Sequence, residues 1–264
     1  LNTPGTTKLV AHKSRDHTEI LFKYLKIPIK IKKTKKLSFI EIEGKNNIKS
    51  FNYNIPSDIS SSAFFIVLAL LSKKSSLTVK NVNINPSRTG FINILNKMGA
   101  KIILRNKREY KGEKIADIYV KSRKSLKAIK CPTKYNSSSI DEFLIIFLVA
   151  AKSKGISFFR DLSELNQKES PRLKLGSKIL NMVGIKTELT NDSIKIHGQP
   201  NLELTKNYEV KNYLKDHRIF MTATIASLIL GGNWKIHNSD SINTSFPSFL
   251  KLIRKLGGKF RYEI

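Results

Sequence analysis

Residues 164–172 read Glu-Leu-Asn-Gln-Lys-Glu-Ser-Pro-Arg and place an acid between two bases where a helix should begin. Ser170 is a good N-cap residue and the proline after it suits the first helical position, so we expect the helix to open there. A helix N-terminus carries free N–H groups and a partial positive charge. With Lys168 and Arg172 beside it, the stretch predicts an anion site whose carboxylate, Glu169, can handle a proton. The alternative is a solvated run of charges.

The helix that this stretch opens belongs to a unit that recurs along the chain. The unit consists of a buried helix, a strand, a capped loop, an amphipathic helix, a glycine and one or two further strands. Its second helix ends at Gly99, Gly184 and Gly257, which lie 85 and 73 residues apart. Internal repetition of this kind predicts an architecture built from repeats.

Hydrophobic periodicity predicts the elements of each unit. Buried helices are expected at 63–71, 143–151 and 219–230, and amphipathic helices at 91–98, at 171–182 and from a cap at 244–247 through Leu256. A further helix at 20–25 follows Ser14 or Asp16 as its cap. Strands are expected at 9–11, 29–32, 39–42, 77–82, 101–104, 115–121, 156–159, 185–189, 193–197, 234–237 and 259–262.

Composition limits the class of protein. The chain has 264 residues, of which 40% are hydrophobic and 26% charged, as in globular proteins. The single cysteine, Cys131, excludes an intramolecular disulfide and fits a reducing, cytoplasmic location. No apolar run approaches the roughly 18 residues that span a bilayer, so no membrane partner is expected. Because the chain starts in mid-pattern at Leu1, we expect N-terminal sequence to be missing.

The net charge of +28 is typical of proteins that bind nucleic acid. However, the lysines are spread over the whole chain, and no stretch interleaves basic with aromatic residues. We therefore expect no nucleic-acid partner, and a basic cleft would also suit small phosphorylated substrates. The sequence has no cysteine–histidine spacing for a metal, no Walker loop and no dinucleotide fingerprint, so no metal or cofactor is expected.

Several polar residues stand at predicted helix starts. Arg15, Arg88 and Arg172 each follow a serine there, which suggests several helix N-termini gathered around anionic ligands. Taken singly, each arginine also fits a solvated cap. Asp141 begins an otherwise apolar helix, which fits a functional acid or one that is simply favoured by the helix dipole.

Six motifs follow one another along the chain. They are residues 60–65 (SSSAFF), 85–90 (NPSRTG), 140–142 (IDE), 168–172 (KESPR), 216–218 (DHR) and 244–247 (TSFP). Together they resemble the 5-enolpyruvylshikimate-3-phosphate synthases, and residues 15–19 (RDHTE) fit the same pattern. The resemblance covers essentially the whole chain, and the form of the motifs is similar to the glyphosate-tolerant class.

The resemblance implies an α/β (α+β) fold of the enolpyruvyl transferase type, an inside-out prism of βαβαββ units in two domains. Residues 58–264 would form the C-terminal domain, with repeats at about 58–125, 126–198 and 199–264. Residues 1–57 would be the end of a first domain that is otherwise missing. The hinge would lie near residues 56–58.

The resemblance also implies a cofactor-free, monomeric, cytoplasmic transferase of aromatic amino acid (chorismate) biosynthesis. It would move the enolpyruvyl group of phosphoenolpyruvate to the 5-hydroxyl of shikimate 3-phosphate and release phosphate. Carried over by position, the roles are Asp141 as base and shikimate 3-phosphate contact, Glu169 as the second catalytic carboxylate, Lys168 and Arg15 as shikimate 3-phosphate contacts, and Arg172 and Arg218 as the phosphoenolpyruvate clamp.

The chain departs from the family pattern in two ways. Pro171 stands where the family usually has Asp, and the family's N-terminal phosphate loop and shikimate clamp do not precede Leu1. We therefore expect the 264 residues alone to be inactive. The alternatives are a UDP-N-acetylglucosamine enolpyruvyl transferase and a non-catalytic, basic remnant of the fold that binds nucleic acid.

Overall fold

A computed structural model describes residues 1–45 and 47–261, in which helices and strands alternate. The helices are α1 (His17–Tyr24), α2 (Ile59–Leu71), α3 (Gly90–Lys97), α4 (Phe143–Ala151), α5 (Arg172–Met182), α6 (His217–Leu230) and α7 (Phe249–Lys255). The strands are β1 (Thr6–His12), β2 (Ile29–Lys33), β3 (Leu37–Glu43), β4 (Ser76–Asn83), β5 (Ile103–Tyr110), β6 (Glu113–Lys121), β7 (Gly155–Phe159), β8 (Thr187–Leu189), β9 (Ile194–Gly198), β10 (Leu204–Val210) and β11 (Gly231–Ile236). The predicted α/β class is confirmed.

The core lies between the helices α2, α4 and α6, which pack against one another. All nine residues of α4 are buried, because the helix is apolar on every side and no face of it suits water. Aromatic side chains fill the spaces around it, with the Phe143 and Phe159 rings 6.0 Å apart and the Phe64 and Phe249 rings 6.1 Å apart. The buried helices thus stand inside, as the prism architecture predicts.

The sheets lie outside these helices, and three of the four that are described share one topology. In the described residues the strand orders are β1-β3-β2, β4-β6-β5, β7-β9-β8 and β10-β11. The first three sheets are antiparallel, with the last strand of the unit in the middle, whereas β10 and β11 run parallel. The shared order of the second and third sheets matches the repeat read from the sequence.

The strand β10 was not predicted. Its parallel pairing with β11 has a counterpart in the two preceding units, where it is reduced to isolated bridges from Ser57 to Val82, from Lys127 to Lys154 and from Lys130 to Phe158. The first strand of the βαβαββ unit is therefore short or interrupted in two units. The sequence of β10 carries polar residues at most positions, so period-two alternation gave no signal.

Other helices and strands begin or end at residues different from those predicted. Helix α2 begins at Ile59 and not at the predicted residue 63, because the Asp58 carboxylate caps it by accepting from Ser61 N–H at 2.8 Å. Strand β5 continues to Tyr110, since its pairing with β6 resumes after a register shift. Of the strand predicted at 259–262, residues 259–261 are not in a strand, and Tyr262 lies outside the described residues.

The glycines that were predicted to end the second helices do so. Gly99, Gly184 and Gly257 have φ angles of +96°, +83° and +92°, which residues with a side chain rarely adopt. Apart from the adjacent residues of the chain, nothing lies within 4 Å of the place that a Cβ would take at these positions. The requirement for glycine is therefore one of backbone conformation and not of space.

Residues 1–57 contact the first repeated unit through polar groups close to Arg15. The His17 Nδ1 atom lies 2.5 Å from the Glu113 carboxylate at the tip of the β5–β6 hairpin. The Asn85 amide donates to the Asp16 carboxylate at 2.9 Å. These contacts fix where Arg15 stands relative to the later units, while the division of the chain into two domains stays a prediction.

Among the described residues, no helix is both long enough and apolar enough to cross a membrane.

Candidate active site

Asp141 lies at the centre of a polar cluster, in the turn that leads into α4. Its carboxylate accepts a hydrogen bond from the Arg15 guanidinium. Arg172 Nη1 lies 3.6 Å from Oδ1, and Arg218 Nη2 lies 4.0 Å from Oδ2. Arg218 Nη1 also donates to the backbone carbonyl of Asp141 at 2.9 Å. Residues from three parts of the chain therefore converge on one carboxylate.

These cations decide the protonation state of Asp141. Burial acts to raise the pKa of its carboxyl, but Arg218, Arg15 and Lys168 together outweigh burial and hold the pKa below its usual range. Asp141 is consequently ionised at neutral pH and able to accept a proton.

Arg172 is the most confined of the arginines, with only 1% of its surface exposed. Its Nε donates to Asp216 Oδ2 at 2.9 Å and its Nη2 to Oδ1 at 3.3 Å. The Ser170 hydroxyl also donates to Oδ2, at 2.7 Å. A planar guanidinium held along one edge has a fixed orientation, so the remaining Nη1 points in a set direction, toward Asp141.

Asp216 also positions the second arginine. It is the N-cap residue of α6, and its Oδ1 accepts from Arg218 N–H at 2.9 Å. Burial acts to raise the pKa of Asp216, but the contacts with Arg172, Ser170 and Arg218 N–H outweigh it, so the pKa lies below its usual range. One ionised carboxylate therefore holds both Arg172 and the start of the helix that carries Arg218.

The start of α5 differs from the prediction. The helix begins at Arg172, and Ser170 does not cap it, because its hydroxyl is buried against Asp216. Pro171 precedes the helix with φ −70° and ψ 74°, and Arg172 N–H donates to Ser170 C=O at 2.7 Å. These values describe an inverse γ-turn centred on the proline, whose ring favours this φ. The turn directs the Arg172 side chain inward.

Glu169 and Lys168 lie at the edge of the cluster. The Glu169 side chain is 55% exposed, and its carboxylate accepts from Arg172 Nη2. Lys168 Nζ contacts Glu164 at 2.7 Å and influences Asp141 through its charge. The structure thus brings Glu169, Asp141 and the three arginines into contact, whereas the Lys168 ammonium is turned to a neighbouring acid.

Sequence reasoning missed two acids of this cluster. Asp216 was quoted in a motif but given no role, although its place before a predicted helix made it a cap candidate. Glu142 was also only quoted, and it is 2% exposed behind Asp141. His217 beside them has its pKa lowered by burial and by Arg218, so its imidazole is neutral at neutral pH. Among residues 1–45 and 47–261, no group of three or more His, Cys, Asp or Glu could hold a metal ion.

The arrangement can bind anions and move protons. Asp141 and Glu169 both contact the Arg172 guanidinium, from which the carboxylate or phosphate of a ligand could accept hydrogen bonds in their place. The same two carboxylates stand within one site and can act as proton acceptors and donors.

Comparisons with known proteins give the family. A family model described as EPSP synthase (3-phosphoshikimate 1-carboxyvinyltransferase) matches residues 1–253. The 3-phosphoshikimate 1-carboxyvinyltransferase of Ruthia magnifica is 39% identical over 248 residues, which are 92% of this chain and 54% of the relative. That of Zymomonas mobilis is 36% identical over 263 residues, or 98% of this chain and 58% of the relative.

Solved structures give the same result. EPSP synthase from Acinetobacter baumannii matches with a TM-score of 0.86 and 34% identity, over 96% of this chain and 57% of that one. The enolpyruvyl transferase NikO from Streptomyces tendae, with a TM-score of 0.74 and 16% identity, shares the fold. The chain spans little more than half the length of these relatives. The family inferred from the six motifs is confirmed, and the chain belongs to the EPSP synthase family.

Proposed function

We propose that this chain forms one side of an active site that transfers the enolpyruvyl group of phosphoenolpyruvate to the 5-hydroxyl of shikimate 3-phosphate. The hydroxyl oxygen attacks C2 of phosphoenolpyruvate while C3 takes a proton, and the tetrahedral intermediate then loses that proton and phosphate. The observation that carries the proposal is the ionised Asp141 carboxylate, surrounded by Arg15, Arg172 and Arg218 beside a second carboxylate, Glu169.

Asp141 is the proposed base for the 5-hydroxyl. Its low pKa keeps it in the accepting form, and its side chain is 13% exposed, so a substrate hydroxyl can reach it. Arg15 comes from residues 1–57 and contacts the same oxygen that lies 4.0 Å from Arg218. A phosphate of shikimate 3-phosphate would compete for Arg15, and the loss of that cation would raise the basicity of Asp141.

Arg172 and Arg218 are the proposed clamp for phosphoenolpyruvate. Asp216 holds the Nε edge of Arg172, which leaves Nη1 and part of Nη2 for the carboxylate or phosphate of the ligand. Arg218 projects from the first turn of α6, where the helix dipole adds to its attraction for an anion. Asp216 holds the Arg172 guanidinium and the Asp141 carbonyl holds that of Arg218, so both groups are preorganised and little ordering is needed when the ligand binds.

Glu169 is the proposed carrier of the C3 proton. Its side chain is half-exposed next to the Nη2 of Arg172, so it would face a phosphoenolpyruvate bound by that guanidinium. Lys168 is the proposed second contact for shikimate 3-phosphate, which its ammonium would reach by leaving Glu164. We further propose that the protein acts as a cytoplasmic monomer and binds no nucleic acid, which the family and the scattered lysines support.

The test is phosphate release from phosphoenolpyruvate by the product of the complete reading frame that encodes these residues, with shikimate 3-phosphate or UDP-N-acetylglucosamine as acceptor. Asp141→Asn and Glu169→Gln should each lower kcat by about 100-fold or more, since proton transfer contributes factors of this size. The matched control is Asp240→Asn, because that carboxylate lies on the surface against Lys215.

Each outcome has a definite meaning. Turnover with UDP-N-acetylglucosamine alone would replace the proposed acceptor. No turnover with either acceptor, together with salt-dependent binding to generic RNA, would support the non-catalytic alternative. Turnover by the 264 residues on their own would contradict the expectation that this part of the chain is inactive by itself.

A further inference from the structure

Glu142 is a buried acid for which the proposed reaction has no use. It directly follows Asp141, yet it points into the protein and is 2% exposed. A buried carboxyl without a partner is costly, so its surroundings should show what it does.

The contacts of Glu142 lead away from the cleft and into the first unit. Its Oε1 accepts from the Ser60 hydroxyl, which stands in the first turn of α2. The same hydroxyl accepts from Arg88 Nη2 at 2.7 Å, and Arg88 also donates to the Asp58 carboxylate at 2.8 Å. The chain of bonds from Asp58 through Arg88 and Ser60 to Glu142 thus joins the starts of α2 and α4.

The turn before α4, which carries Glu142, also carries Asp141. Arg218 Nη1 donates to the backbone carbonyl of Asp141, so α6 is bonded to the residue next to Glu142. The turn before α4 is therefore held from the first unit through Glu142 and from the third unit through Arg218. A shift of this turn would move the Asp141 carboxylate relative to all three arginines.

The local charges favour a neutral carboxyl at position 142. Four arginines lie around Asp141 and around the bonds of Glu142. Four carboxylates other than that of Glu142 contact these arginines. The arginines are 15, 88, 172 and 218, and the carboxylates are those of Asp58, Asp141, Glu169 and Asp216. Burial raises the pKa of Glu142, and Arg218, Ser60 and Arg88 offset only part of this effect. The protonated form fits because a further negative charge would repel the anionic substrates.

We propose that Glu142 is a positioning residue, which acts through Ser60 and Arg88 to fix the turn that presents Asp141 to Arg218. It does not exchange protons with substrate, and its hydrogen-bonding shape matters more than its charge. The catalytic part of this inference rests on the proposed function.

The experiment compares Glu142→Gln with Glu142→Ala in the product of the complete reading frame. Glutamine keeps the size and the acceptor oxygen, so kcat should stay within about threefold of wild type. Alanine removes the bond to Ser60, and misplacement of a reacting group by about 1 Å costs on the order of 100-fold, so kcat should fall by about 10- to 100-fold with a smaller change in KM. Leu148→Ala, which opens a cavity further along the same helix, controls for lost stability.

A double-mutant cycle with Ser60→Ala tests the route. Because both side chains belong to one chain of bonds, Ser60→Ala combined with Glu142→Ala should lower kcat no further than Glu142→Ala alone. Independent, multiplicative losses would overturn the proposed connection. A Glu142→Gln variant as impaired as Glu142→Ala would also overturn it, since the carboxyl itself would then be required.

A second measurement does not depend on turnover. The titration of Asp141, followed by carbon-13 NMR of its carboxyl, should shift to higher pH in Glu142→Ala and stay unchanged in Glu142→Gln. If wild type shows no turnover but this shift is observed, the proposed function fails while the positioning role stands. If Asp141 titrates as in wild type in the Glu142→Ala variant, the positioning role is refuted, whatever the activity.

Discussion

Replacing Asp216 by Asn should lower the free energy of unfolding of this chain by about 3–5 kcal/mol. The Asp216 carboxylate accepts hydrogen bonds from Arg172 Nε and Nη2, from the Ser170 hydroxyl and from Arg218 N–H. Each oxygen takes two of these donors. An Asn amide has one oxygen and one NH2 group, so two donors lose their acceptor in either orientation.

The magnitude follows from these lost bonds. Hydrogen bonds to a charged group contribute about 1.5–3 kcal/mol each, so two of them account for about 3–6 kcal/mol. The loss of the charge partner of a buried arginine independently gives about 3–5 kcal/mol. Since whole domains are stable by only about 5–15 kcal/mol, the effect should be large in urea unfolding followed by circular dichroism.

The stability difference between wild type and Asp216→Asn should depend on pH in a definite direction. The pKa of Asp216 is lowered in the folded state from an ordinary value of 3.8, so its contribution is complete above pH 4 and is lost as the pH falls through the folded value. The difference between wild type and Asp216→Asn should therefore be full at pH 7 and narrow below pH 4. Asp240→Asn, at the surface, should show no measurable difference.

A double substitution distinguishes the cost of leaving one buried charge unpaired from the cost of disturbed packing. Arg172→Met combined with Asp216→Asn removes both charges at nearly unchanged side-chain volume and keeps an acceptor oxygen for Ser170 or for Arg218 N–H, so it should cost less stability than Asp216→Asn alone. A loss below about 1 kcal/mol for Asp216→Asn, or a difference that grows in acid, would refute the view that this carboxylate compensates a buried arginine.

Three further outcomes are expected. Arg15→Met removes a cation that lowers the pKa of Asp141, so the acid limb of the pH profile of kcat/KM should move to higher pH in the complete enzyme. Glu113→Gln weakens the contact of Glu113, which is 5% exposed, with His17 and should lower the urea-derived free energy of unfolding by about 1–3 kcal/mol. Cys131 is buried with its pKa raised to about 11, so a thiol reagent at pH 8 should modify it at least about tenfold more slowly in the folded than in the unfolded chain.

The sequence predicted the buried helices and most strands because their signals are local. Helix α4 was placed at its observed bounds, since nine consecutive apolar residues between polar ends allow few alternatives. Strand β10 was missed because it forms by pairing with β11, which is distant along the chain. Its polar side chains stay exposed in that pairing. Its strand conformation is thus a consequence of tertiary context and not of its own pattern.

The sequence predicted candidate site residues, most of which the structure brings together, but it did not predict the contacts between them. Ser170 was expected to cap α5 because serine before a helix usually does, yet its hydroxyl bonds to a carboxylate 46 residues away. The acid that binds Arg172 lies 44 residues further along the chain, so no local spacing relates them. Motif order selected the candidate residues, whereas the choice among possible partners required the packing of α5 against α6.

This arrangement has a consequence for how the site binds anions. Asp141, Glu169 and Asp216 already neutralise Arg172, so an anionic ligand gains only the difference between its own contacts and those it displaces. Of the three acids, Glu169 is half-exposed and Asp216 has no exposed side-chain surface. Displacing Glu169 therefore costs little, since water can solvate it, whereas displacing Asp216 would leave an unpaired buried charge. A ligand should exchange with Glu169 first, and that exchange leaves the carboxylate beside the bound ligand, as the proposed proton transfer requires.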